Sequence, residues 1–149
     1  MSIHRKQIGE LLELPEKYIV IDEAIYDPAY PNDLKVLKVL AKNDIDFTSH
    51  IPDYPVYPDY AIGKIINQGI RLLVRLLYPN HNDIPVGMIE RIKLRGQLYP
   101  NDQMNVLIKK WQDRSKKIAK FEIGIENQRG ILVCDATVYG TIIKKKQDG

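Results

Sequence analysis

At 149 residues and a net charge of +3, the chain is long enough to bury a core and carries no charge excess that demands a nucleic acid. Its one cysteine, Cys134, cannot form an intrachain bridge, and with the three histidines it shows no metal-ligand spacing. Arg71 and Arg75 interrupt the longest apolar run and the first residues lack an apolar segment, so the expectation is one cytoplasmic domain without membrane span or metal.

In chain order, residues 7–14 fit a short helix, with Ile8, Leu11 and Leu12 on one side and Pro15 closing it. Residues 18–22 (Tyr-Ile-Val-Ile-Asp) form a β-prone run, and Asp27-Pro28 and Pro31-Asn32-Asp33 mark a loop. Residues 34–44 fit neither clean alternation nor a helical stripe, so their pattern alone leaves them open.

Residues 47–60 are a stiff loop in which Pro52, Pro55 and Pro58 restrict the backbone around His50. Asp59 reads as the N-cap of the following helix, whose unpaired N–H groups would hold a carbonyl or anion beside His50. That helix, 61–78, is the clearest element. Ile62, Ile65, Ile66, Gly69, Leu72 and Leu73 recur at helical spacing and leave Lys64, Gln68, Arg71 and Arg75 as a polar stripe.

Strands follow over 88–95, 104–113, 119–126 and 131–143, with a turn at 96–102, a polar hairpin around 114–117 and a turn at 127–130. Val133 and Ala136 suggest a strand around Cys134, read as a buried reduced thiol and hence an intracellular protein. Residues 144–149 read as a frayed basic tail. One long helix against an antiparallel sheet is an α+β layer solution.

Four stretches in this order carry a resemblance. Leu11-Leu12-Glu13-Leu14-Pro15 running into Tyr18-Ile19-Val20-Ile21-Asp22 is the first, and 47–58 around His50 is the second. Ile92-Lys93-Leu94-Arg95-Gly96 through Asp102 is the third, and 121–136 the fourth. Together they resemble the 3-hydroxyacyl-acyl-carrier-protein dehydratases of fatty-acid synthesis, which have the hot-dog fold.

The resemblance implies that 34–44 is a strand and that the chain works as a homodimer with sites at the subunit seam. It implies that His50 takes the C2 proton of a 3-hydroxyacyl thioester carried on phosphopantetheine, with no further cofactor. Backbone N–H groups near Asp59 and Tyr60 would polarise the thioester carbonyl. Gln68 matches a family glutamine, and Tyr57 would lie against substrate.

The family's proton-donating carboxylate belongs fourteen residues after the histidine, where this chain has Lys64. A lysine is a poorer match to proton delivery at neutral pH, although its charge would favour a neutral His50. Both motif glycines are also replaced, by Asp53 and Asp59, read as a turn residue and a cap, or as stand-ins for the missing carboxylate. Tyr54, Tyr57 and Tyr60 would narrow the tunnel, stack on an acyl group or pack across the dimer.

Arg91, Lys93, Arg95, Lys109, Lys110, Lys120 and the hairpin cations read as solvated strand faces. By the resemblance they would dock an acidic acyl carrier protein, with coenzyme A the other possible carrier. Two other readings are a non-catalytic partner subunit of an active dehydratase and a thioesterase that uses Asp59.

Overall fold

The computed structural model describes residues 1–41, 57–79, 86–111 and 118–141. The chain opens with β1 (Ser2–His4) and α1 (Arg5–Leu12). Helix α1 starts and ends two residues earlier than the apolar pattern predicts. Its entry is tied by the His4 N–H donating to Gln7 Oε1 at 3.1 Å. It ends where Glu13 turns left-handed (φ 55°) and the Leu14 N–H reaches back to the Gly9 carbonyl at 2.9 Å.

The predicted strand at 18–22 is corrected. Tyr18 closes a 3-10 turn (Glu16–Tyr18), and the ladder starts only at β2 (Glu23–Ile25). Ile19 and Ile21 are buried as their apolar character demands, but the Val20 N–H donates to the Gln68 side chain rather than to a strand. The open stretch after residue 33 is a strand in its first part, β3 (Asp33–Val39), and 42–44 lie outside the described residues.

The long helix, α2, spans Asp59–Leu77. Four strands follow: β4 (Val86–Leu94), β5 (Gln103–Trp111), β6 (Ala119–Glu126) and β7 (Leu132–Gly140). These match the alternation to within two residues at their described ends, apart from the end of β7, whose expected residues 142–143 lie outside the described part. So do the 114–117 hairpin and the 144–149 tail. The β6–β7 turn is held by Asn127 Oδ1, which accepts from the Arg129 and Ile131 N–H groups, and Gly130 supplies its positive φ of 75°.

One antiparallel sheet results, in the order β1-β2-β3-β5-β6-β7-β4. Its helix side carries Val36, Val106, Ile108, Phe121, Ile123 and Cys134, all buried, as expected for Cys134. Ile65, Ile66, Ile70, Leu72 and Leu73 of α2 complete the core. Gly69 marks the closest approach of helix to sheet, since a Cβ there would sit 2.5 Å from Ile108 Cδ1.

The β4 edge combines two features. Ile92 and Leu94 pair with the helix-side residues Ala136 and Cys134, yet stay 40% and 46% exposed, because α2 lies over β3 and β5. On the outer side Arg95 binds Asp135 and holds its carboxyl below the usual carboxylate range. A lowered folded-state pKa stabilises above the unfolded carboxyl's titration range and loses that contribution as pH falls through the lowered value. Asp135→Asn should therefore lower Tm slightly at pH 7, by up to about 1 kcal/mol of stability, with the gap closing in acid and in high salt. Thermal melts at pH 7 and pH 3 check this; a gap that widens in acid contradicts it.

Candidate functional site

The site is built on α2. The N-cap is Pro58 rather than Asp59, a correction with a simple cause. Proline holds the extended backbone a cap needs (φ −78°, ψ 153°), and its carbonyl accepts from the Ala61 and Ile62 N–H groups at 3.1 and 3.3 Å. Asp59 is thereby the first helical residue. The N–H groups of Asp59 and Tyr60 fall among those that an α-helix leaves without internal partners.

Tyr60, Lys64, Asn67, Arg71 and Arg75 recur every three or four residues and form the open side of α2, as helical geometry requires. Tyr60 is 52% exposed, and Lys64 Nζ lies 5.5 Å from the centroid of its ring, a cation–π contact. The structure thus brings two of the expected site residues together.

Two others are buried. Gln68, expected on the polar stripe and against substrate, is buried: Nε2 donates to the Tyr18 carbonyl at 2.7 Å and Oε1 accepts from the Val20 N–H at 2.9 Å. The segment after α1 packs on that side of the helix and uses both ends of the amide. Tyr57 is also buried, a member of the core whose N–H donates to the Leu98 carbonyl at 2.9 Å, pinning the approach to α2 against the β4–β5 connection. His50, Asp53 and Tyr54 lie outside the described residues.

Two residues escaped the sequence reading. Lys110, expected on a solvated basic face, is buried on the helix side of β5 with Nζ 5.5 Å from the Tyr78 ring at the α2 C-terminus. Its place in the β5 alternation, in register with the core residue Phe121, was the signal for that burial. Asn67 was passed over among apolar neighbours. Its Oδ1 is withdrawn from solvent and accepts no hydrogen bond from the described residues, and Arg71 Nε, one turn on, is equally withdrawn from solvent.

No described helix is long and apolar enough to cross a membrane. No protein-family model matches the chain. In sequence it is similar to the 3-hydroxyacyl-(acyl-carrier-protein) dehydratase FabZ of Vibrio campbellii, at 29% identity over 138 residues, 91% of this chain and 90% of the relative.

Three solved structures share its fold. Thioesterase HI1161 from Haemophilus influenzae matches with a TM-score of 0.73 at 9% identity, covering 98% of this chain and 94% of that one. A hypothetical thioesterase with coenzyme A from Streptococcus pneumoniae matches at 0.65 and 16% identity, over 83% and 88%. The dehydratase heterocomplex ApeI:P from Xenorhabdus doucetiae matches at 0.57 and 16% identity, over 81% and 96%. The chain therefore has the hot-dog fold, similar in sequence to dehydratases and in structure to dehydratases and thioesterases alike.

Proposed function

We propose that the protein acts on 3-hydroxyacyl thioesters as a dehydratase-like enzyme with an altered acid position. The similarity to FabZ over nine-tenths of both chains carries this reading, because a match of that length spans both the His50 loop and α2. His50 takes the C2 proton, the electron pair forms the C2–C3 double bond, and the 3-hydroxyl leaves as water with a proton from the Lys64 ammonium. N–H groups at Asp59 and Tyr60 stabilise the charge that builds on the thioester oxygen. The acyl group rides on phosphopantetheine, of an acyl carrier protein or of coenzyme A.

The working unit is a homodimer. The uncovered helix-side residues Ile92 and Leu94 support it, since apolar side chains on the inner face of a sheet call for a cover that one copy of α2 does not supply. The thioesterase neighbours favour a second reading, in which Asp59 at the head of α2 activates water against the thioester. The ApeI:P heterocomplex favours a third, a partner subunit that holds an acyl chain for an active dehydratase.

Incubation with a 3-hydroxyacyl-carrier thioester, followed by mass spectrometry of enoyl and free-acid products, separates these. Enoyl product is expected, and Lys64→Glu should raise its rate by roughly tenfold or more by restoring a better-matched acid. Free acid that disappears on Asp59→Asn would install the thioesterase reading instead. Carrier binding with no turnover in either protein would leave the partner subunit.

A further inference from the structure

Asn67 lies three residues after Lys64 on the same open side of α2, about 4.5 Å further along the helix axis. Its carboxamide oxygen is buried without a hydrogen bond among the described residues. An unmet buried acceptor is costly, so a group held at this place through folding points to a partner beyond the described residues. We infer that Asn67 is a specificity-determining residue whose carboxamide binds the 3-hydroxyl of the substrate and so selects 3-hydroxyacyl chains over saturated ones.

The kind of partner follows from the amide itself. Turned one way it presents a carbonyl, turned the other an NH2, and the small group that satisfies either end both donates and accepts: a hydroxyl. The place follows from Lys64. In the proposed reaction the leaving hydroxyl sits within reach of the Lys64 ammonium, and a neighbour one turn along the same side reaches the same oxygen. A hydrogen bond at Asn67 holds that oxygen in line for the proton without supplying one. Arg71, a further turn on, extends the polar lining away from Lys64. The inference rests on the acyl-thioester reading.

The test compares two unreactive probes on the full-length protein: 3-hydroxybutanoyl and butanoyl groups joined to pantetheine through an amide in place of the thioester, which resists both elimination and hydrolysis. The ratio of their dissociation constants, measured by calorimetry on one sample, is independent of how much of that sample is folded. The wild-type protein should prefer the hydroxylated probe by roughly three- to tenfold, and Asn67→Leu should bring the ratio close to one. Asn67→Ser, which keeps a hydroxyl at the site, should retain part of the preference.

Removal of the unmet amide should also raise the ligand-free Tm of Asn67→Leu by roughly 2–4 °C. A wild-type ratio of one, or a preference unchanged in Asn67→Leu, overturns the inference while leaving the acyl-thioester reading intact; a water held by the carboxamide would give that result. Failure of both probes to bind would sink the acyl-thioester reading, and this inference with it.

Discussion

His50→Ala is expected to lower enoyl-thioester formation by roughly 10²–10⁴-fold, the usual contribution of a positioned general base. The proton at C2 is only weakly acidic, and its removal sets the barrier unless the carbonyl is polarised while a neutral base stands ready. The effect should fall on kcat, with KM little changed, because the base engages the proton only in the transition state. The wild-type rate should rise with pH as the imidazole loses its proton, and the alanine variant should lose that limb of the profile. Melting temperature is the control, since loss of activity through unfolding would lower it. Retention of more than about a tenth of the rate in a folded His50→Ala protein would remove His50 from the mechanism.

Gln68→Leu should cost about 2–4 kcal/mol of stability. Leucine fills the space but leaves the Val20 N–H and the Tyr18 carbonyl without partners between two helices and the sheet. Among the described residues, the segment at 19–22 is otherwise tied to the sheet only at Asp22, through Leu37 and Val39 of β3. For a domain of this size the loss corresponds to roughly 4–16 °C in Tm. Gln68→Glu keeps the acceptor for Val20 but sets a buried carboxylate against the Tyr18 carbonyl, so at neutral pH it should cost at least as much. Denaturant titration measures both. A Leu variant as stable as wild type but slow in turnover would return Gln68 to the substrate side, where the sequence resemblance had placed it.

The same amide shows where sequence reading reaches its limit. β5, β6 and β7 were legible because alternation over eight or nine residues and a local turn suffice to specify each strand. Residues 18–22 are as β-prone, but the Val20 N–H and the Tyr18 carbonyl meet a side chain 48 and 50 positions away, which no local window contains. β1 escaped because three residues carry too little pattern, and it exists only through its pairing with β2.

The candidate site divides in the same manner. The open side of α2 follows from helical spacing, so Tyr60 and Lys64 were identifiable together. Position 68 looks almost equivalent, 40° round the helix from 64, and only the chain packed over it decides that its amide bonds the backbone at Tyr18 and Val20. Asp59 lost the cap to Pro58, whose fixed φ suits the extended backbone of a cap although it offers the first N–H groups no side-chain oxygen. Asn67 had no pattern to betray it; what marks it is an oxygen without a partner.

During synthesis α2 leaves the ribosome before most of the sheet that covers it. β5, β6 and β7 have yet to emerge, and the last of them ends roughly sixty residues after the helix. At ordinary elongation rates the apolar side of α2 waits for about 3–12 s. β4 waits as well, because its sheet neighbour is β7, the final strand to appear. A nascent chain stalled before β7 would thus display both the helix core face and an unpaired strand, the two features that chaperones bind and that aggregation begins from.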